Sequence, residues 1–149
     1  VSTPLAENLM LTVTGLRRLV RRQVRARIPQ LQPSLRGAQV ELLRAVETEP
    51  GIGVAAAARK LHLAGNSVST LVNQLVELGM LDRTVDPADR RAARLELTPA
   101  AHVRLGTWRR ARNEFVADRL ATLSEVDRNA IAAALPALNR LIAAMEEDT

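Results

Sequence analysis

Residues 54–98, VAAAARKLHLAGNSVSTLVNQLVELGMLDRTVDPADRRAARLELT, constrain the fold more than any other stretch of the chain. VAAAARKL is a short helix former with almost nothing polar in it. GNSVSTLVNQLVELG places Val68, Leu71, Val72, Leu75 and Val76 at steps of three and four, which predicts a helix with one buried stripe. Gly79 stands where such a helix needs a left-handed C′ residue. The apolar period then changes. Leu81–Val85 and Arg94–Thr98 read as two strands, with Leu95 and Leu97 on one face. The loop between them holds Asp86-Pro87-Ala88-Asp89-Arg90-Arg91, and Pro87 suits the second position of a type I turn. The stretch therefore reads as helix, turn, helix and basic hairpin.

The rest of the chain reads as helices around that unit. Thr3-Pro4 opens the first, whose face carries Leu5, Leu9, Val13, Leu16, Val20 and Val24, and Pro29 and Pro33 close it. Arg17, Arg18, Arg21, Arg22, Arg25 and Arg27 lie on the same helix. They read first as the solvated face of an otherwise buried helix; phosphate or an acidic partner surface is the sharper alternative. Ser34 is the expected cap of a second helix over about 35–48, ended by Glu49-Pro50-Gly51. The third covers Val54–Leu61. Gly65 is expected to supply the free φ of the sharp turn after it. Asn66 is the expected cap of the fourth. Thr98-Pro99 repeats the opening signature and starts a fifth helix reaching about residue 121. Ser124 caps a sixth, with Asp127 in the capping-box position and Pro136 inside it as an expected kink or division.

Composition agrees with a helical chain. Trp108 and Phe115 are the only aromatic residues, so the core must be Leu, Val, Ile and Ala, which suits packed helices better than a β-sandwich. The formal charge is +5, and every basic residue but Lys60 is Arg, whose planar fork suits phosphates and base edges. Arg and Ala richness is also what genome base composition produces. There is no Cys, which excludes disulfides, thiolate nucleophiles and Cys-ligated zinc. Neither a signal peptide nor a stretch of membrane-spanning length is visible, so a soluble, cytoplasmic, nucleoid-associated protein without membrane partners is expected.

The segment DPADRRAARLELTPAA resembles the wing of the MarR (multiple antibiotic resistance regulator) family, an Asp-x-Arg followed by an alternating strand ending in Leu-Thr. SVSTLVNQLVELGMLDR resembles that family's recognition helix and its exit into the wing. The helices at 4–28, 99–121 and 124–146 are similar in order and length to its dimerisation elements. The fold this implies is mainly α with a small β-hairpin: a dimerisation helix (1–34), a winged helix-turn-helix (35–98) and C-terminal dimerisation helices (99–149). The function it implies is a homodimeric, sequence-specific transcriptional regulator of double-stranded DNA. It would bind a pseudo-palindromic operator as a repressor and be released by a small aromatic or phenolic effector.

The side chains that would carry this follow from groove chemistry. A helix in the major groove reads base edges through short polar side chains near its N-terminus. Here these are Gly65, Asn66, Ser67, Ser69, Thr70 and Asn73, with Gln74 further along; Ser67, Ser69, Thr70, Asn73 and Gln74 are expected on the outer face. Family members often carry Arg at the positions of Thr70 and Gln74; this helix has no basic residue. The charge sits in the hairpin, at Arg83, Arg90, Arg91 and Arg94. By the resemblance, Arg91 enters the minor groove and Asp89 braces its guanidinium, while Arg90 and Arg94 meet phosphate. Arg59 and Lys60 are secondary phosphate candidates. Trp108 and Phe115, seven apart, form a candidate effector pocket, although such a pair is more often core or interface.

Other chemistries are weaker. His62 and His102 have no carboxylate at ligand spacing, and no nucleophile elbow or Gly-rich phosphate loop exists, so neither metal, cofactor nor enzymatic activity is expected. Two further readings compete with the regulator: a winged-helix module that binds protein, favoured by the uncharged fourth helix, and a weakly specific nucleoid-binding protein.

Overall fold

The computed structural model describes residues 3–147, and the side chains of all of these except Asp86, Arg90 and Arg91. In chain order the elements are α1 (Thr3–Arg27), α2 (Gly37–Thr48), α3 (Val54–Leu61), α4 (Gly65–Glu77), β1 (Leu81–Asp86), β2 (Asp89–Leu97), α5 (Pro99–Leu120) and α6 (Glu125–Glu147). They form two compact units. One runs Ile28–Arg110; the other comprises α1, α5 from Ala111 onward, and α6. No helix among the described residues is long and apolar enough to cross a membrane.

The unit of Ile28–Arg110 is built on one aliphatic core. Leu42, Leu43 and Val46 of α2 meet Ala57 and Ala58 of α3, and Val68, Val72 and Leu75 of α4. Met80, Leu81 and Leu95 come from the hairpin, and Ala101 and Leu105 from the start of α5. The stripe read along α4 is narrower than its sequence suggests. Leu71 is only partly buried, and Val76, at the edge of the apolar arc, is exposed. From α5, Arg109 pairs with Glu47 of α2 at 2.5 Å, and Arg104 Nε donates to the Pro33 carbonyl before α2 at 3.1 Å. Both hold the first half of α5 to this unit.

The two helix ends on either side of α4 are closed by the same device. At Gly79 (φ +73°), the Gly79 amide donates to Val76 O and the Met80 amide to Leu75 O, the paired bonds of a Schellman cap. This is the C′ role expected of Gly79. The turn before α4 differs from expectation. Its left-handed residue is His62 (φ 54°), which ends α3 with its own amide on Arg59 O and the Leu63 amide on Ala58 O. Gly65 has no positive φ and is the first residue of α4. His62→Gly is expected to raise the unfolding free energy by roughly 0.5–1 kcal/mol. Relief of left-handed strain at a Cβ exceeds the entropy added to the unfolded chain. Urea denaturation checks it, and a loss of stability would mean that the imidazole makes a compensating contact.

Two other caps also differ. The cap position of α2 is Arg36, not Ser34; the Arg36 amide donates to Gln39 Oε1 at 2.9 Å, so the side chain that satisfies this end reaches back from inside the helix. The cap position of α4 is Ala64, not Asn66, whose Oδ1 takes the Ser67 amide at 2.9 Å, one of the amides a helix start leaves unpaired. Thr98 does cap α5, accepting the Ala101 amide at 3.1 Å while donating to Gly79 O at 2.6 Å. One hydroxyl thus ties the end of α4 to the start of α5 across the base of the hairpin. Ser124 caps α6, accepting the Asp127 amide at 3.1 Å.

The hairpin is longer than the alternation suggests. β1 and β2 pair antiparallel from Leu81↔Leu97 to Val85↔Ala93. The register then jumps to Asp86↔Asp89, so residues 90–92 bulge and the turn is only Pro87-Ala88. Two-residue hairpin turns that match strand twist use positive φ, which Pro87 cannot adopt, and the slip in register lies beside it. The segment between α2 and α3 adds to this sheet: the Gly51 amide donates to Leu95 O at 2.9 Å, and the Leu95 amide to Ile52 O at 3.0 Å.

In the other unit, Phe115 is buried beneath two guanidiniums, Arg27 at 4.9 Å and Arg119 at 5.5 Å from the ring centre. Arg27 also lies 3.9 Å from the Asp118 carboxylate. α1 is not the otherwise buried helix expected: of its residues only Val24 is buried, and Leu5 (64% exposed), Val13 and Leu16 (62%) are open. α6 has no buried residue, with Ile131, Leu135 (52%), Ile142 (54%) and Met145 exposed along one side. It runs as one helix through Pro136, which does not divide it. The missing amide removes one hydrogen bond, and the Ala- and Leu-rich flanks carry the helix past it.

Candidate nucleic-acid interface

The hairpin packs beside α4, and its pleat fixes which residues lean on the helix. Leu81, Arg83 and Val85 share a side of β1, and Leu81 is anchored in the core. Arg83 therefore lies against α4, where its Nη2 donates to Asn73 Oδ1. Of the residues expected to read DNA, Asn66, Ser67, Ser69, Thr70 and Asn73 are exposed on α4. The Thr70 hydroxyl donates back to Asn66 O at 3.0 Å, leaving its oxygen lone pairs and methyl for a partner.

Gln74 is not on the open face. Its Oε1 accepts from Gln39 Nε2 at 3.1 Å, and Gln39, only 6% exposed, is itself held by the Arg36 amide. This α2–α4 link was not visible in the sequence, since helical spacing alone puts Gln74 outside. Its only signal was Gln39, a polar residue among the apolar ones of α2.

The hairpin carries the charge. Arg94 pairs in register with Thr84, and Asp89 with Asp86 at the turn. The backbone of Arg90 and Arg91 lies in the bulge of β2, and their side chains are outside the described residues. Lys60 stands apart, lining a shallow groove with Glu41, Arg44 and Thr48 of α2. The proposed effector pair is also divided. Trp108 is half-buried in the unit of Ile28–Arg110, and Phe115 belongs to the other unit. Among the described residues no three His, Asp or Glu side chains are grouped as metal ligands. Burial lowers the pKa of the Arg104 guanidinium from its ordinary value, and that side chain is committed to the Pro33 carbonyl, away from this surface.

Residues 34–92, which contain α2, α3, α4 and most of the hairpin, match the model of the MarR family. Over this stretch the chain is similar to the MarR family. An uncharacterised HTH-type transcriptional regulator of Mycobacterium bovis is 29% identical over 138 residues, covering 93% of this chain and 92% of that protein. The structure of a MarR family protein from Bacillus stearothermophilus superposes with a TM-score of 0.77 at 16% identity, covering 96% of this chain and 99% of the other. A mutant of S. aureus MepR bound to an oligodeoxyribonucleotide superposes with a TM-score of 0.66 at 18% identity, over 90% of this chain and 97% of that one. The last two share the fold of this chain, six helices with one two-stranded hairpin.

Proposed function

We propose that this chain is a MarR-family, homodimeric, DNA-binding transcriptional regulator whose α4 enters the major groove while the hairpin reaches the adjacent backbone and minor groove. The observation that carries this reading is the join between α4 and β1. The Schellman cap at Gly79, the Thr98 hydroxyl and the Arg83–Asn73 bond hold an arginine-bearing hairpin beside an exposed row of short polar side chains. Base-reading groups flanked by phosphate-reading ones are what groove recognition requires. The DNA-bound MepR relative gives the same architecture a precedent. Dimerisation is supported by the apolar residues exposed on α1 and α6, which a second copy would cover. Repression, and its release by a small aromatic or phenolic effector, rest on the family resemblance.

Arg91 is the residue whose loss should weaken operator binding most among the hairpin arginines. Arg91→Ala is expected to cost on the order of 1–3 kcal/mol of operator affinity with no change in melting temperature. Fluorescence anisotropy on duplexes tiled from the DNA flanking the gene measures it. Affinity should also fall steeply with salt as phosphate contacts release counterions. Wild-type affinity in Arg91→Ala would remove the minor-groove assignment. Salt-independent binding would remove the phosphate contacts. Equal competition by operator and unrelated DNA would favour a weakly specific nucleoid protein, and no binding at low salt would favour the protein-interaction reading, which the absence of Lys and Arg from α4 supports.

A further inference from the structure

The three amide side chains of α4 all have their oxygens committed within the protein. Asn66 Oδ1 accepts the Ser67 amide at 2.9 Å, Gln74 Oε1 accepts Gln39 Nε2 at 3.1 Å, and Asn73 Oδ1 accepts Arg83 Nη2. The chemistry of the partners settles each orientation. A backbone amide and a guanidinium have hydrogens and no acceptor, so the atom facing them must be oxygen. Gln39 Oε1 is already occupied by the Arg36 amide, so its other end donates and Gln74 answers with oxygen. The Asn66 and Asn73 side chains are exposed, which leaves their amino groups as the ends free for a partner.

We infer that the exposed amides of α4 present hydrogen-bond donors, and that Arg83 holds Asn73 as a donor-side reader of a base whose major-groove edge carries acceptors and no donor, guanine or thymine. The inference rests on α4 being the major-groove helix proposed above. An asparagine with both ends free reads adenine, giving its amino group to N7 and its oxygen to the N6 amino group. With Oδ1 accepting from Arg83, one of its two lone pairs is taken and the cationic guanidinium beside it opposes the approach of the adenine amino group, a second donor, so the second half of that pair is weakened. Guanine offers N7 and O6 side by side, and thymine offers O4, so either accepts from Asn73 without needing its oxygen. Cytosine presents an amino donor and is disfavoured for the same reason as adenine. The lock also accounts for a reading helix without a basic residue: its hydrogens come from neutral amides, and the guanidinium bonded to Asn73 belongs to the hairpin.

Selection of full-length protein on a randomised duplex library, followed by sequencing, tests this with wild type, Asn73→Ala, Asn73→Asp and Arg83→Met. One position of the wild-type motif should be guanine or thymine and lose about five- to tenfold of its preference in Asn73→Ala, the lower end of a base contact's contribution. Asn73→Asp keeps an oxygen for Arg83 but turns an acceptor outward, so that position should change to cytosine or adenine. Arg83→Met frees Oδ1, and adenine should rise there. Adenine in the wild-type motif at the Asn73-dependent position would overturn the inference. So would a motif with no Asn73-dependent position, or one whose Asn73-dependent base is indifferent to Arg83→Met. If Arg83→Met does not fold, wild type against Asn73→Asp decides alone. Failure of wild type to retain any duplex at low salt is a different result, and it sinks the DNA-binding reading together with this one.

Discussion

With Leu135 and Ile142 both replaced by Asp, the protein is expected to sediment as a monomer and to lose operator binding by about 10²–10⁴-fold. Both residues are about half exposed on α6, one face of a helix with no buried residue in the isolated chain. Leu5, Val13 and Leu16 are open in the same way on α1. Apolar stripes of this extent mark surfaces that another molecule covers. In the proposed homodimer an Asp on such a stripe would be buried without a partner, at a cost of several kcal/mol per charge. Each 1.4 kcal/mol is about tenfold in association, so two such charges carry the dimer beyond micromolar working concentrations. The fall in DNA affinity follows because two reading units on one dimer bind two half-sites as a linked pair. Sedimentation velocity and anisotropy on one operator give both numbers. A dimer that persists with both Asp residues in place would move the self-contact off α6.

Leu75→Ala is expected to destabilise the winged unit by roughly 2–5 kcal/mol, a fall in melting temperature on the order of 10 °C. Leu75 is fully buried and sits in α4 between the core and the Schellman cap, which uses its carbonyl. The loss combines the transfer energy of the removed carbons with the cavity left where α4 meets α2, α3 and the hairpin. The cavity lies under the reading helix, so operator affinity should also fall at temperatures where the protein is still folded. Chemical denaturation together with anisotropy separates the two effects. A change below 1 kcal/mol would mean that α4 collapses onto the core without leaving a void.

Much of this was legible in the sequence because it depends on local chemistry. The 3.6-residue period of Val68, Val72 and Leu75, the left-handed position at Gly79, and the Thr98 and Ser124 caps each follow from the residues within one turn of them. So does the change of period at Leu81 that makes the hairpin. Expectation failed where two local solutions were available. His62 took the left-handed turn that Gly65 could have taken, and Gln39 closed the start of α2 in place of Ser34. A residue's propensity says what it tolerates, and the packing of α3 against α4 decides which residue is required to use it.

The sequence by itself determined the fold class and the placement of charge: helices for want of aromatic residues, one hairpin, arginines on it and none on α4. These are properties of composition and period, and no long-range contact is needed to read them. Only the tertiary structure decided which polar atoms of α4 remain available. Gln39 lies 35 residues before Gln74 in the chain, and Arg83 lies on a strand 10 residues past Asn73. Hydrogen bonds across such separations depend on how helix and hairpin pack. They hold the oxygens of these ambivalent amides within the protein and leave the amino groups of Asn66 and Asn73 outward.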